Sequence, residues 1–324
     1  MSGIFTVSLD FELYWGVRDK LSLEEYGANV LGAHQAVPRL LELFAQYGVH
    51  ATWATVGFLF FERKDELLKN LPNPKPNYAD PNLSPYPVLA TLSPDDPHYF
   101  APGMVERIRA TPGQELASHT FCHYYALEAG QTAEEFRADL KAAQAVSERR
   151  FGAPLRSLVF PRNQANHLEV LCETGFSAYR GNEQGWFYGA YTEEQQTPLR
   201  RGFRLLDNYF NLSGHHTYPL PGVRDGLVNI PSSRFLRPYS PRLAPLEPLR
   251  LARIARSMEH AARTNEVYHL WWHPENFGVN LEENLGFLRR VLETFKTLQT
   301  RHGMGSLNMG EIARLAQETP LSAS

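Results

Sequence analysis

The chain has 324 residues, of which 43% are apolar and 21% charged, and its net charge at pH 7 is -3. This length suits one large domain or two ordinary ones. The composition is that of an ordinary soluble globular protein, and the small net charge argues against a broad nucleic-acid-binding or membrane-binding surface.

The first residues lack the pattern that is typical of an export signal. They read MSGIFTVSLDFE, which lacks a basic region followed by an apolar stretch, and no window of the sequence approaches a membrane span. We therefore expect a cytoplasmic protein without integral membrane association. The two cysteines, Cys122 and Cys172, form no disulfide framework in a chain this long, so we expect reduced thiols.

Short β-rich apolar runs alternate with amphipathic stretches along most of the chain. The predicted strands are 4–9, 51–56, 114–117, 157–160, 177–179, 227–230 and 266–272, followed by a short strand at 305–308. Such alternation is typical of βαβ units around a parallel sheet or barrel.

Three stretches between the strands have helical periodicity. The segment PRLLELFAQYG begins with Pro38, which suits a first turn, and ends with Gly48, a stop signal. A second helix opens with the capping-box residues Thr132 and Glu135, and a third is predicted over 280–299.

Two long segments, at about 62–103 and 207–248, interrupt this rhythm with many prolines and polar residues. Neither resembles a linker between independent cores, and the sequence shows no internal repeat. We expect a single barrel-like domain over 1–324, with these insertions lying over the mouth of the barrel.

Ionisable residues collect directly after the predicted strands. They are Asp10 with Glu12, His119 with His123, Arg162, and His273 with Glu275. In parallel α/β folds the loops after the strands share one face and carry function, so we expect these side chains to converge.

The pair His119 and His123 can present two imidazole nitrogens to one divalent cation. One acid of Asp10 and Glu12 would complete the ligand set and leave the other as a general base. Two histidines and a carboxylate suit zinc first, and also cobalt, nickel, manganese or iron. Single His-x-x-x-His pairs also arise by chance, the two acids could be a solvated strand end or a helix cap, and Arg162 could form a structural ion pair.

A second pair with the same spacing, His269 and His273, lies along a predicted strand. We interpret His269 as a structural histidine inside the sheet. The position of His273 at the strand end favours a chemical role for that residue.

The segment ASHTFCHYY resembles the His-(Ser/Thr)-x-x-His motif of the polysaccharide deacetylases of carbohydrate esterase family 4, the NodB homology fold. LWWHPENF is similar to the Leu-x-His motif of that family, and GLVNIPSS looks like the subgroup that includes allantoinase-like and peptidoglycan deacetylases. The resemblance extends from Val7 to about Phe277. It implies a distorted (β/α) barrel of about seven parallel strands.

Three motifs depart from the pattern of the family. The first, normally two adjacent aspartates, is here Asp10-Phe11-Glu12, an arrangement similar to the Asp-x-Asp of the subgroup. The third, normally Arg-Pro-Pro-Tyr, is here Phe-Pro-Arg162-Asn. Glu183 and Trp186 fall where an Asp-x-x-Asp-Trp motif would lie.

The resemblance implies a metal-dependent hydrolase that removes an acyl group, acetyl first, from the nitrogen of an amino sugar. The metal ligands would be Glu12, His119 and His123, and Asp10 would be the base. We further hypothesise that Arg162 holds Asp10 ionised and that His273 protonates the departing amine. The carboxylates considered as partners that raise the pKa of His273 are Glu183, Asp207 and Glu275.

The expected substrate is a small saccharide or a lipid- or nucleotide-linked sugar, with no nucleic-acid partner. Three alternatives stay open: an allantoinase-like amide hydrolase, a metal-independent glycoside hydrolase on a similar barrel, and a non-catalytic carbohydrate-binding relative. A chelator and a substrate panel distinguish them, since a glycoside hydrolase needs two carboxylates and no catalytic metal. The sequence determines neither the oligomeric state nor the particular sugar.

Overall fold

The strands form one curled sheet in a computed structural model that describes residues 2–183 and 198–319. The strands are β1 (Ile4–Phe11), β2 (Ala51–Thr55), β3 (Gln114–Ser118), β4 (Ser157–Val159), β5 (Ala178–Arg180), β6 (Val223–Arg224), β7 (Leu227–Asn229), β8 (Arg234–Phe235), β9 (Val267–Trp272) and β10 (Gly305–Ser306). Each of the eight predicted strands is present with shifted ends. β6 and β8, which have two residues each, were not predicted.

The order of the sheet is β6-β7-β5-β4-β3-β2-β1-β9-β8, and β10 pairs with the start of β1. All described pairings between these strands are parallel except that between β6 and β7. The fold is therefore a mixed α/β fold whose curled, mostly parallel sheet makes a half-barrel, as the sequence predicted. The carboxyl ends of its parallel strands lie at one edge.

Helices connect the strands and cover the sheet. They are α1 (Leu23–Tyr47), α2 (Lys64–Leu68), α3 (Val88–Thr91), α4 (Met104–Ala110), α5 (Ala133–Phe151), α6 (Leu168–Glu173), α7 (Pro198–Asp207), α8 (Glu247–Thr264), α9 (Leu281–His302) and α10 (Met309–Glu318). None of the helices within the described ranges has both the length and the apolar character that a membrane span requires.

Helix α1 begins earlier than the sequence predicted. Pro38 lies inside the helix and not in its first turn, because a capping box formed by Ser22 and Glu25 starts the helix at Leu23. The signal Ser-x-x-Glu was present in the sequence. The predicted end was correct, since Gly48 follows the helix in the left-handed conformation with φ 61°.

The two other predicted helices are confirmed. In α5 the Thr132 hydroxyl accepts from the backbone N–H of Glu135, and the Glu135 carboxylate accepts from Thr132 in return. This capping box fixes the direction in which α5 leaves the loop after β3. Helix α9 follows Asn280 and has its buried residues at helical spacing.

The first insertion contacts the loop that follows β1. The backbone N–H of Tyr14 donates to the His98 carbonyl at 3.0 Å, and the Trp15 indole N–H donates to the Tyr99 carbonyl at 2.9 Å. The second insertion contributes β6, β7 and β8 to the sheet. All eight residues of β1 are buried, so this central strand lies inside the core and places its last residues firmly.

Candidate metal centre and catalytic site

Glu12, His119 and His123 meet at the carboxyl edge of the sheet. Glu12 follows β1, and the two histidines follow β3, two strands away in the sheet. One ligand atom from each side chain lies within 4.8 Å of the other two, and all three residues are buried. Glu12 Oε2 is 3.2 Å from His119 Nε2 and 3.0 Å from His123 Nε2. The residues predicted as metal ligands are thus brought together.

The orientation of the His119 ring fits a cation at this point. His119 Nδ1 lies 2.9 Å from the carbonyl oxygen of Val159, to which it must donate. In the neutral ring Nε2 then presents a lone pair toward the anionic oxygen of Glu12, and two lone pairs repel each other unless a cation lies between them. A metal-bound histidine commonly donates its other ring N–H to a carbonyl in this way.

The protonation states of His123 and Glu12 also suit metal binding. Burial lowers the pKa of His123 to about 4, so its ring is neutral at pH 7. Burial by itself would raise the pKa of Glu12, but His273 and His123 beside it hold that pKa well below its usual value. A metal needs a deprotonated carboxylate and neutral imidazoles as ligands. At pH 7 Glu12 provides the carboxylate and His123 provides a neutral imidazole.

The loop that carries the two histidines has a tight, non-repetitive backbone. Thr120 and His123 both adopt a left-handed conformation with φ 61°, which is rare for residues other than glycine. The Ser118 hydroxyl accepts from the Thr120 N–H at 3.0 Å, and the Thr120 hydroxyl accepts from the Tyr124 N–H at 2.6 Å. These local hydrogen bonds help both imidazoles to face Glu12.

Asp10 is held by Arg180, the last residue of β5. The guanidinium donates to both carboxylate oxygens, at 2.6 and 2.7 Å, and also to the Ser8 hydroxyl at 2.9 Å. Burial would raise the pKa of Asp10, but Arg180, together with His119 and His273, keeps it below its usual value. Asp10 is therefore an anion at pH 7.

Arg162, the expected partner of Asp10, lies elsewhere. It forms ion pairs with Asp19 and, at 3.8 Å, with Glu128, and it lies over the ring of Tyr125, 3.9 Å from the ring centre. Sequence reasoning missed Arg180, although this residue follows directly on the predicted strand 177–179. A search of strand ends for cations would have found it.

The third motif contributes Asn163 to the Asp10 environment. The Asn163 side-chain oxygen accepts from Arg180 Nη2 at 3.1 Å. Arg162 and Asn163 both adopt left-handed conformations with φ 55°, and this turn directs Arg162 to Asp19 while Asn163 meets Arg180. Spacing along the chain could not predict that Arg162 contacts Asp19 while Asn163 contacts Arg180, because these contacts depend on two unusual backbone conformations.

His273 completes the cluster from the end of β9. Its Nε2 is 3.9 Å from Asp10 Oδ2 and 3.6 Å from Glu12 Oε1. The side chain is 27% exposed, in contrast to the buried ligand residues, so it is accessible to a bound substrate. The rings of Phe235 and Trp271 lie beside it, with centres 6.0 and 5.7 Å away.

The three carboxylates considered as partners of His273 have other described contacts. Asp207 is fully buried beside Arg234 and Arg253. Glu183 lies 3.4 Å from the indole nitrogen of Trp271. Trp186, named with Glu183 in the sequence, lies outside the described residues.

Glu275 lies behind the turn that carries Glu12. It accepts from the backbone N–H groups of Glu12 and Leu13. Burial, and then the charge of Glu12, raise the pKa of Glu275 to about 8.

His269 lies inside the sheet. Its Nδ1 is 3.0 Å from the Pro231 carbonyl oxygen and its Nε2 is 2.8 Å from the Ser8 hydroxyl. Burial lowers the pKa of His269 to about 3. This environment is that of a neutral, hydrogen-bonded core histidine, which agrees with the structural interpretation.

The curled parallel sheet, with its cluster of acids and histidines at the carboxyl edge, defines a NodB-like (β/α) half-barrel protein. Residues 27–176 match the family model described as polysaccharide deacetylase. The match spans just under half of the chain and includes His119 and His123. Asp10, Glu12, Arg180 and His273 lie outside it.

Solved structures share the fold at low sequence identity. A structure from Mycobacterium smegmatis described as a polysaccharide deacetylase is 16% identical, with a TM-score of 0.57. The match covers 100% of this chain and 95% of the chain of that structure. Puue allantoinase is 13% identical, with a TM-score of 0.58 and coverages of 99% and 93%. A GH57-type branching enzyme from Pyrococcus horikoshii is 12% identical, with a TM-score of 0.56 and coverages of 99% and 71%. These likenesses show the fold alone, since proteins of different activity share it.

A comparison of the sequence with curated proteins finds no match.

Proposed function

We propose that the protein is a metal-dependent hydrolase that removes an N-acyl group, acetyl first, from an amino sugar. The observation that carries this proposal is the convergence of Glu12, His119 and His123 on one point, with Asp10 and His273 directly beside it. The match of residues 27–176 to the polysaccharide deacetylase model supports a deacetylase, and the mixed histidine and carboxylate ligands support zinc before the other divalent metals.

The residues of the chain divide the hydrolysis between them. A divalent cation bound by Glu12, His119 and His123 would supply Lewis-acid charge where negative charge develops on the acyl oxygen. Asp10 accepts the proton of the attacking water, and Arg180 keeps Asp10 ionised and oriented for this step. His273 donates a proton to the amine nitrogen as the C–N bond breaks. The products are a carboxylate and the free amine.

The geometry around the two acids disfavours a glycoside hydrolase. Such an enzyme needs one protonated carboxyl group to donate to the leaving oxygen and a second carboxylate across the scissile bond. Both oxygens of Asp10 accept from Arg180, and Glu12 Oε2 faces two imidazoles. Neither acid is therefore arranged as a proton donor.

The proposed substrate is a small saccharide or a lipid- or nucleotide-linked sugar. This choice assumes a cytoplasmic location. An allantoinase-like reaction would use the same water activation on a cyclic amide, so only a substrate panel separates the two reactions.

The test compares wild-type protein with His119→Ala and with the surface control His302→Ala, whose side chain is exposed on α9. We expect about one equivalent of divalent metal in wild type and in the control by elemental analysis, and none in His119→Ala. Acetate release from N-acetylated saccharides should be lost with the metal and abolished by a chelator.

Other outcomes would overturn the proposal in distinct ways. Folded wild-type protein without metal, and activity insensitive to a chelator, would eliminate the metal mechanism and favour a glycoside hydrolase. Turnover of cyclic amides only would make the protein allantoinase-like. Saccharide binding with metal present but no turnover on any substrate would indicate a non-catalytic relative.

A further inference from the structure

Two buried acidic side chains outside the proposed ligand set, Asp139 and Glu275, each accept from two consecutive backbone N–H groups of a ligand-bearing loop. We propose that these two residues are positioning residues, which hold the two loops in the metal-binding geometry before a cation arrives. This inference rests on the proposed metal site. It assigns to Asp139 and Glu275 a role that does not involve touching metal or substrate.

Asp139 acts on the loop between the two histidines. It belongs to α5 and is fully buried. The Phe121 N–H donates to Asp139 Oδ2 at 2.6 Å, and the Cys122 N–H donates to Oδ1 at 3.1 Å. Both oxygens are therefore used on the short segment that separates His119 from His123.

That segment needs a hydrogen-bond acceptor from elsewhere in the fold, because its own backbone does not supply acceptors for these two N–H groups. Thr120 and His123, on either side of the two N–H groups, have left-handed backbones that persist only where the surroundings enforce them. A buried N–H group also requires an acceptor. The Asp139 carboxylate supplies two such acceptors and so couples the direction of both imidazoles to the position of α5.

Glu275 acts in the same way on the turn that carries Glu12. A single oxygen, Oε1, accepts from the Glu12 N–H at 3.1 Å and the Leu13 N–H at 2.5 Å. Leu13 also has a left-handed backbone, with φ 48°. The Glu275 side chain is buried and comes from the loop after β9, far from Glu12 in sequence.

The second oxygen of Glu275 shows that the carboxylate is not part of a fully satisfied structural network. Among the residues that the structure describes, Oε2 is buried and has no hydrogen-bond partner. Buried polar atoms without partners are uncommon in native proteins. The side-chain hydrogen bonds described for Glu275 are those that Oε1 accepts from the Glu12–Leu13 turn.

These hydrogen bonds hold the ligand atoms close together before a cation binds. Because both loops carry left-handed residues, removing their acceptors should let the backbones relax and separate the ligand atoms. Loss of groups that orient metal ligands typically weakens metal affinity by about 10- to 100-fold. The loss should appear in binding itself and does not depend on turnover.

The experiment measures Co²⁺ affinity of metal-free, folded protein by chelator competition, with the Co²⁺ absorption spectrum as a second readout. We expect Asp139→Ala and Glu275→Ala to bind about 10- to 100-fold more weakly than wild type. Glu275→Gln keeps an oxygen at the position of Oε1 and should retain most of the affinity. Asp139→Asn keeps one of two acceptors and should fall between wild type and Asp139→Ala.

Glu115 provides the matched control. It also accepts from a backbone N–H, that of Gly310, and from the hydroxyls of Thr52 and Ser157, but it lies at the start of β3, away from the loops after the strands. Glu115→Ala should lower stability without changing Co²⁺ affinity or the spectrum. A comparable loss of affinity in this control would show a general destabilisation and overturn the inference.

The outcomes separate this inference from the proposed function. If wild type binds no Co²⁺, the metal site itself is wrong. If wild type binds and both alanine variants bind equally well, the metal site stands and the positioning role is wrong. Should the alanine variants fail to fold, Glu275→Asp, which withdraws the carboxylate by one methylene, and Asp139→Asn decide the question: unchanged affinity in both contradicts the inference.

Discussion

Arg180 illustrates how one buried cation can define the chemistry of an acid. It is fully buried, and its guanidinium contacts Asp10, Ser8 and Asn163 from the end of β5. Removing one partner of a buried ion pair typically costs about 3–5 kcal/mol, because the other charge is left without compensation. The Arg162 pair with Asp19 is nearer the surface, with Arg162 15% exposed.

We therefore predict that Arg180→Met lowers the free energy of unfolding by about 3–5 kcal/mol and abolishes acetate release. Arg162→Met should cost about 1 kcal/mol and retain turnover, since partly exposed pairs contribute little. Denaturant unfolding and a deacetylation assay on both variants measure these effects. Equal losses in the two variants would contradict the assignment of Arg180 to Asp10.

The roles of Asp10 and Glu12 are separable by two isosteric substitutions. Asp10→Asn should keep the metal and lower kcat by about 10²- to 10⁴-fold, the usual contribution of a general base. Glu12→Gln should lose metal affinity and turnover together. Elemental analysis beside acetate release distinguishes these patterns, and loss of metal in Asp10→Asn would reverse the assignment.

At the scale of elements, helix α1 packs unusually closely against the loop after β9. A Cβ atom on Gly32, inside α1, would lie 2.0 Å from the carbonyl oxygen of Gly278. A Cβ on Gly278 would in turn lie 2.0 Å from the carbonyl oxygen of Asn29. The loop held in this way also carries Glu275, so the contact helps to place the support of Glu12.

The close contact at Gly32 and the open space at Gly286 predict opposite changes in stability for glycine-to-alanine substitution at these two helix positions. Gly32→Ala should destabilise the protein by about 1–3 kcal/mol, the usual cost of overpacking, despite the better helix propensity of alanine. Gly286→Ala in α9, where nothing lies within 4 Å of the added Cβ, should stabilise it by up to about 1 kcal/mol. Thermal unfolding of both variants tests the prediction, and stabilisation by Gly32→Ala would show that α1 can move away.

At the scale of the whole molecule, Glu115 joins the C-terminal helix α10 to the sheet. It accepts from Thr52 on β2, from Ser157 on β4 and from the N–H of Gly310 on α10. Burial raises the pKa of Glu115 above its usual value of 4.5. The C-terminal helix is thus attached to the sheet through a carboxyl group that is reluctant to ionise.

The sign of the resulting pH dependence follows from this shift. Because the folded pKa lies above the unfolded pKa, the contribution of Glu115 to stability is fully present below pH 4.5 and is lost as pH rises through the folded pKa. Glu115→Gln, which cannot ionise, should therefore flatten the decline of stability above pH 4.5. Urea unfolding across pH measures this, with the exposed Glu293→Gln as the control that should leave the decline unchanged.

The sequence by itself predicted the alternating strands and helices and the face on which the site lies. Short apolar runs predict buried strands, and parallel strands end at a common edge, so Asp10, Glu12, His119, His123 and His273 were expected to approach one another. The capping box at Thr132 and Glu135 was equally readable, because it depends only on neighbours in the chain.

Tertiary structure alone decided which side chains meet within that face. The order of the sheet brings β5 to where Arg180 reaches Asp10, while two left-handed residues turn Arg162 toward Asp19. Asp139 and Glu275 reach the ligand loops from distant segments. Local periodicity in the sequence indicates which residues are buried. Contacts between side chains from distant segments depend on strand order and turn conformation, and short-range sequence patterns do not predict these.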